Sequence, residues 1–207
     1  MNRDYYTRFV STGGVSRSTA KLMKTNQTTS YRTGDDGDIE AGRSTDFFTL
    51  AENNPFGNTN RFTDELGGST YTNNIVIDWS TYDGSTVLGW RRTQNGVDIT
   101  WDNAIDGALA VSIGSYTTGW RLPNINELFS LANWSSQLFN YSPLNVSATA
   151  YNLWTATTHN IATTRAFVIT NISTGTGATV SPSTKTATSL NRYIPCRVFT
   201  VTGTTLT

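Results

Sequence analysis

Cysteine and histidine are nearly missing from this chain of 207 residues, which holds one of each. A single cysteine, Cys196, cannot form a disulfide within the chain and is predicted to be a buried apolar residue of the final strand. His159 has no second histidine and no nearby cysteine with which to build a zinc site, and its neighbours are typical of a turn in a surface loop. With no nucleophile–base pair indicated either, the sequence predicts that the protein is not an enzyme.

Charge is scarce as well, since only 14% of the residues are charged and the 15 basic side chains are balanced by 15 acidic ones. A chain without a basic excess carries no electrostatic footprint for nucleic acid. No apolar run reaches the roughly 18 residues that a membrane-spanning helix needs. The first residues, MNRDYYTRFVSTGG, lack the apolar stretch of a secretory signal. We therefore expect neither nucleic-acid binding nor membrane insertion.

Uncharged polar residues take the place of charge, because threonine, serine, asparagine and glycine are abundant. Threonine is β-branched and suits strands, whereas the small polar residues suit turns and ordered loops. This composition is typical of an extracellular or virion surface protein.

The segment GWRLPNINELFSLANW (119–134) carries a clear helix signal. Asn124 is predicted to cap the first turn, and Glu127 three residues later completes a capping box. Apolar residues then recur on one face, which predicts a short amphipathic helix over 124–132 that packs on a sheet. Arg121, which precedes this helix, is of the type that is buried against a carboxylate or a carbonyl.

A second helix is predicted over 101–110, with Thr100 as its N-cap. Its apolar face consists of Trp101, Ala104, Ile105, Ala108 and Leu109. A hairpin is predicted from strands over 74–79 and 86–91, in which Ile75, Ile77 and Trp79 alternate with Val76 and Asp78. Further strands are predicted over 153–157, 165–172 and 192–201.

The same segments resemble, in order, the motifs of the Lcl C-terminal domain, a family found in bacterial and phage surface proteins. The matching segments are TWDNA (100–104), GWRLPNINELFSLANW (119–134), LWTATT (153–158), AFV (166–168) and YIPCRV (193–198). Upstream, TTSYRTGDDGDIEAG (28–42) and RFTD (61–64) resemble the segment that often precedes the domain. The resemblance covers roughly residues 22–199.

The resemblance implies an α+β domain with the C-type-lectin-like fold, in which two short helices pack on small antiparallel sheets with long loops. It divides the chain into an N-terminal arm or tail (1–24), a loop-rich part of the head with a hairpin (25–98) and the lectin-like core (99–207). Six large residues are expected to be almost fully buried in one cluster: Trp101, Trp120, Leu122, Leu128, Trp154 and Phe167. These tryptophans fit an aromatic core better than a sugar-binding platform.

Ligand binding is predicted for three polar segments, 133–136, 152–160 and 173–189, because long polar loops in a compact domain are commonly functional. The candidate ligand-binding residues are Asn133, Trp134, Tyr151, Asn152, His159 and Asn160. Amide groups and an exposed aromatic face are what a glycan or protein receptor would contact.

The acidic cluster Asp35, Asp36 and Asp38, with Glu40, leaves two alternatives open. Oxygen ligands this close together on a glycine-rich loop could bind calcium. Their spacing does not match an EF-hand loop, however, and a charged surface turn is the commoner structure. The sequence requires no cofactor, with calcium as the one candidate.

The N-terminal segment combines aromatic and basic residues, Tyr5, Tyr6, Arg8 and Phe9, without a helical or strand period. It is either a flexible tail or an arm that docks on another copy of the chain or on another surface protein. The arm favours a homo-oligomer.

Together these features favour a phage virion protein, such as a fibre, tail or decoration subunit, whose lectin-like head attaches to a glycan or protein receptor. The alternatives are a purely structural decoration protein and an adhesin on a bacterial cell surface.

Overall fold

The computed structural model describes residues 30, 32–33, 47–133, 142–146, 151–171 and 179–207. The described helices are α1 (Trp101–Leu109) and α2 (Ile125–Phe129), with a 3-10 turn at Trp79–Thr81. The described strands are β1 (Phe62–Thr63), β2 (Ile75–Asp78), β3 (Thr86–Arg91), β4 (Trp120–Arg121), β5 (Tyr151–Thr158), β6 (Arg165–Asn171), β7 (Thr179–Thr184), β8 (Asn191–Arg192), β9 (Cys196–Thr202) and β10 (Thr205–Leu206).

The strands form two sheets. The larger sheet has the order β1-β2-β3-β9-β10, and β4 pairs with β9 beside this path. The smaller sheet has the order β7-β6-β5-β8, in which β5 and β8 run parallel and the other pairs are antiparallel. Helix α1 contacts β4 and β5, and α2 contacts β5 and β6. The α+β class is therefore confirmed, and no helix among the described residues is long and apolar enough to cross a membrane.

Helix α1 begins where the sequence predicts. The Thr100 side chain accepts a hydrogen bond from the Asn103 N–H and so caps the first turn. Ala104 and Ala108 are fully buried, because small side chains let the helix approach the sheets closely. Leu109 was predicted on the buried face but is 59% exposed, since it is the last helical residue and the buried stripe ends at Ala108.

Helix α2 has the predicted capping box, in which Asn124 and Glu127 each bond the backbone N–H of the other. It ends at Phe129, earlier than the predicted 132. The N–H groups of Leu131 and Ala132 bond the carbonyls three residues back, at Leu128 and Phe129, so the chain tightens and the α-helical pattern stops. The carbonyl of Ser130, just past the helix, accepts a hydrogen bond of 2.8 Å from Arg61.

Arg121 and Glu127 fix the approach to α2. The guanidinium of Arg121 donates to both carboxylate oxygens of Glu127, at 2.8 and 2.6 Å. One of these oxygens also accepts the Asn124 N–H. Burial would raise the pKa of Glu127, but the hydrogen bonds from Arg121 and Asn124 outweigh it and lower the pKa. The carboxylate that caps the helix therefore also anchors β4.

Strand β2 differs from the predicted alternation. All four residues of β2 are buried, because Ile75 and Ile77 pack in one core cluster and Val76 on the opposite face packs in another. Asp78, on the same face as Val76, meets Arg61. The Asp78 carboxylate accepts hydrogen bonds of 2.9 and 2.8 Å from Arg61, and both side chains are 0% exposed. The hairpin partner β3, in contrast, spans the predicted residues.

The core is divided into three clusters, which corrects the prediction of one. Leu128 lies in the first, Trp120 in the second, and Leu122 and Trp154 in the third. These four side chains are almost fully buried as expected. Trp101 and Phe167 are only half-buried, so the prediction is wrong for these two; Lys185 lies over the indole ring of Trp101, and the His159 ring packs on Phe167.

The strand predicted over 153–157 is confirmed, since it lies within β5. The loop predicted over 173–189 is partly a strand, because β7 lies inside it and pairs along its full length with β6. The serines and threonines of β7 gave no apolar alternation because this edge strand is mostly exposed. The predicted strand 192–201 is also divided, into β8 and β9, around Pro195, whose carbonyl accepts the Arg91 N–H.

The Glu127→Gln variant is expected to lose about 1–2 kcal/mol of stability at pH 7, because it weakens the bonds to Arg121 and Asn124. A lowered pKa means that this stability is present above the unfolded pKa of about 4.3 and is lost as the pH falls. Urea unfolding at pH 7, 5 and 3 should therefore show a gap between wild type and variant that closes towards pH 3. Glu52→Gln, at an exposed glutamate, is the control. A gap of the same size at all three pH values would contradict this role.

Candidate ligand-binding surface

The residues predicted to bind a ligand do not lie together on one surface of the structure. Tyr151 and Asn152 begin β5, whereas His159 follows its last residue, so they lie at opposite ends of the strand. Asn133 is 3% exposed, so it is part of the interior rather than of a surface. Trp134 lies outside the described residues.

His159 and Asn160 form the predicted turn. The Nδ1 atom of His159 accepts hydrogen bonds from the backbone N–H groups of Ile161 and Ala162, at 3.3 and 3.0 Å. The imidazole ring packs against Phe167, with 5.4 Å between the ring centroids. These contacts give His159 a role in closing the turn between β5 and β6.

Asn152 joins three strands through its side-chain amide. Its nitrogen donates to Asn191 in β8 at 2.9 Å, and its oxygen accepts from Thr170 in β6 at 2.7 Å. Asn191 in turn donates to the carbonyl of Ala187. Since both ends of the Asn152 amide are occupied, this residue holds the strands in place beneath the neighbouring surface.

The aromatic residue beside it, Tyr151, carries an arginine on its ring. The guanidinium carbon of Arg192 lies 3.5 Å from the ring centroid of Tyr151. The Nε of Arg192 donates to Asp98 at 3.1 Å, and the other oxygen of Asp98 accepts the backbone N–H of Leu190 at 3.0 Å. Asp98 therefore fixes both the cation and the chain that precedes it.

Two exposed apolar side chains adjoin this ion pair. Leu190 is 48% exposed and Val97 is 65% exposed. Backbone bonds from Ile99 to Asn191 and between Asn95 and Tyr193 hold the two segments together. Leu190 has a φ of 58°, a left-handed conformation that is unfavourable for leucine. We call the set Val97, Asp98, Tyr151, Leu190 and Arg192 the Tyr151 surface.

The Tyr151 surface has the chemistry of a recognition site. Apolar and aromatic groups supply contact area, and the ion pair supplies polar groups whose positions are fixed. A strained backbone that holds an apolar side chain in solvent is the kind of outlier that suggests a function. Of its members the sequence indicated only Tyr151, because Val97 and Asp98 come close to Leu190 and Arg192 only in the folded chain.

Three tryptophans, Trp101, Trp120 and Trp154, are not arranged as an exposed aromatic platform for a sugar. Trp120 and Trp154 are 1% and 0% exposed, and their indole N–H groups donate to the carbonyls of Tyr116 and Ile99. Trp101 is half-buried, with its N–H bonded to the Thr155 carbonyl and the Lys185 ammonium 4.0 Å from its ring centroid. These three residues belong to the core and its rim, as the sequence predicts.

Two predicted sites lie outside the described residues: the acidic cluster of Asp35, Asp36 and Asp38, and the arm with Tyr5, Tyr6, Arg8 and Phe9. Among the residues that are described, no group of histidine, cysteine and carboxylate side chains is arranged to hold a metal ion. Calcium binding by the acidic cluster therefore stays a prediction. Cys196 is fully buried, and burial raises the pKa of its thiol to about 12, as expected for a core residue.

The fold and this surface describe an α+β domain that displays a preformed apolar and ionic patch. The family model of the Lcl C-terminal domain matches residues 80–194, which is more than half of the chain and includes the whole Tyr151 surface. The chain belongs to this family. No curated protein and no solved structure matches it. Membership in the family suggests a surface-related or secreted protein.

The Leu190→Gly variant is expected to be as stable as wild type to within about 1 kcal/mol, because glycine takes the left-handed conformation without strain and this leucine is half exposed. Val97→Gly is the matched control, since its backbone is not left-handed and glycine there should destabilise. Thermal unfolding of both variants tests this. A loss of several kcal/mol in Leu190→Gly would show that the side chain is needed for folding.

Proposed function

We propose that this protein is a surface-displayed attachment module that contacts a glycan or protein receptor through the Tyr151 surface. The observation that carries the proposal is the pair of exposed apolar side chains, Leu190 and Val97, held beside the Arg192–Asp98 ion pair. Burying one leucine side chain against a partner contributes about 1.5–3 kcal/mol. Exposing such apolar groups to water is unfavourable, and a partner that covers them on binding would remove this unfavourable hydration.

Preorganisation supports the same proposal. Asp98 bonds both Leu190 and Arg192, and the Arg192 guanidinium is stacked on Tyr151. Side chains that are already fixed lose little conformational entropy on binding, which favours affinity. Beneath this surface, Asn152 is hydrogen-bonded to Asn191 and Thr170, and these bonds hold the underlying strands in fixed positions.

We further propose that the domain adopts the C-type-lectin-like fold. Its two helices, its small antiparallel sheets and its family membership support this assignment. One fold can carry different binding surfaces, so the fold by itself does not identify the receptor.

We favour a location on a phage particle, where the protein would be a fibre, tail or decoration subunit. It would be present there in more than one copy. This location is supported by the abundance of uncharged polar residues and by the family's occurrence in surface proteins. A bacterial surface adhesin is the alternative setting. A purely structural decoration protein would use the same apolar surface to contact other subunits. In each case we propose a binding role and not a catalytic one.

The Leu190→Gly and Tyr151→Ala variants are expected to attach to bacterial host cells about tenfold more weakly or worse, the loss that follows from removing one buried apolar contact of about 1.4 kcal/mol. Binding of the labelled full chain to cells, measured over a range of concentrations, gives the apparent Kd. Ile161→Ala is the control, because Ile161 is 86% exposed and lies at the other end of β5.

Unchanged attachment of both variants would refute the Tyr151 surface as the receptor site. If the variants attach normally but no longer enter purified particles, detected by mass spectrometry, the structural decoration role is the better one. Equal losses in all three variants would indicate an effect on the fold instead.

A further inference from the structure

The side chain of His159 closes the turn between β5 and β6 as a hydrogen-bond acceptor. Its Nδ1 atom accepts the backbone N–H groups of Ile161 and Ala162, at 3.3 and 3.0 Å. A ring nitrogen of histidine accepts a hydrogen bond only when it carries no proton. The observed turn therefore requires a neutral imidazole whose proton is on the other nitrogen, Nε2.

The tip of the turn depends on this acceptor. Neither the Ile161 N–H nor the Ala162 N–H bonds any other group among the described residues. The base of the turn is closed by the backbone, since the His159 N–H bonds the Arg165 carbonyl at 3.0 Å and the Arg165 N–H bonds the Ala162 carbonyl at 2.8 Å. Ile161 is 86% exposed, so packing of its side chain does not hold the tip.

Protonation of His159 would replace the acceptor by a donor. Histidine is the side chain that ordinarily changes its charge between about pH 5 and 8. The imidazolium has an N–H on both ring nitrogens, so its Nδ1 proton would point at the two backbone N–H groups. Both hydrogen bonds would be lost, and three N–H groups would be brought together without an acceptor.

The charged residues of the neighbouring elements offer the imidazolium no ion pair in return. These residues are Arg165 in β6, Lys185 after β7, Glu127 in α2, and Asp102 and Asp106 in α1. Glu127 is paired with Arg121, and no carboxylate in the described part of the chain pairs with His159. The Phe167 ring, 5.4 Å away between centroids, can pack on the neutral or the charged imidazole. The lost hydrogen bonds therefore have no replacement in the closed turn.

The turn also supports the end of the neighbouring strand β7. The Thr164 carbonyl accepts the Lys185 N–H at 3.0 Å, and the Lys185 carbonyl accepts the Trp101 N–H at 2.9 Å. Trp101 is the first residue of α1. The turn is thus joined by hydrogen bonds to the edge of the smaller sheet and to the beginning of a helix.

We propose that the turn at residues 159–165 is a pH-sensitive device, closed when His159 is neutral and open when it is protonated. A side chain that is bonded only in its neutral form stabilises the closed turn at high pH, and this stability is lost as the pH falls and the ring takes up a proton. The turn lies at the opposite end of β5 from the Tyr151 surface, so the inference does not rest on the proposed attachment function.

Nitrogen-15 NMR of the full chain between pH 8 and pH 5 tests this proposal, and the chain contains only one histidine to titrate. At pH 8 the imidazole should carry its proton on Nε2. As the pH falls, the amide resonances of Ile161 and Ala162 should shift with the same midpoint as the His159 ring. Backbone order parameters over 160–164 should fall from about 0.85 to below about 0.6. The amide of Leu153, within β5, is the internal control and should not change.

Two variants separate the acceptor from the aromatic ring. His159→Asn supplies a side-chain oxygen that can accept nearby backbone N–H groups and does not titrate, so its turn should stay ordered at both pH values. His159→Phe keeps an aromatic ring beside Phe167 but has no acceptor, so its turn should be open even at pH 8.

The proposal is overturned if the His159 ring titrates while Ile161 and Ala162 keep their resonances and their order. A neutral ring with its proton on Nδ1 would also overturn it. An equal pH response in wild type and His159→Asn would assign the response to another group and exclude the device. Since the wild-type titration decides by itself, a variant that fails to fold does not prevent a result.

Discussion

The buried ion pair between Arg61 and Asp78 is the constraint on which much of this fold depends. Both side chains are 0% exposed, and the guanidinium carbon lies 4.4 and 4.5 Å from the ring centroids of Phe47 and Phe62. A charged pair in such a place is stable only if its geometry is good and its remaining hydrogen bonds are satisfied. Here they are satisfied: Arg61 also bonds Ser130, and Asp78 also bonds Ser80.

Each of these extra bonds fixes a different element. Asp78 caps the 3-10 turn that follows β2, and Arg61 takes the Ser130 carbonyl at the end of α2. Arg61 lies upstream of the family match and bonds Asp78 in β2 of the larger sheet. Through the Ser130 carbonyl it also contacts the end of α2, which lies within the match. Helix α2 in turn contacts β5 and β6 of the smaller sheet, whose far edge carries the Tyr151 surface.

Local signals in the sequence were sufficient to predict the beginnings of both helices and the hairpin. Thr100 and the pair Asn124 and Glu127 act within one turn of helix, so neighbouring residues contain the whole signal. The strand β3 follows a compact turn in which Asp83 bonds Ser85 and Thr86, which is again local. The resemblance to the family was confirmed over most of its length.

Features that depend on distant residues could not be predicted in this way. The residues just after α2 are held by Arg61, which lies 69 residues away from Ser130 in sequence. The alternation expected of β2 is lost because Val76 packs in a second core cluster and Asp78 beside it is paired with the same arginine. The Tyr151 surface joins residues separated by more than 90 positions, such as Asp98 and Arg192.

A double-mutant cycle on Arg61 and Asp78 tests this account most directly. Arg61→Met and Asp78→Leu should each cost about 3–5 kcal/mol, because each leaves a buried charge without its partner. The double variant should cost much less than the sum of the two, because it leaves neither charge behind. The free energy of unfolding in urea, followed by tryptophan fluorescence, gives all three values. Additive costs, to within about 0.5 kcal/mol, would contradict the account, since they would mean that the two residues stabilise the fold independently.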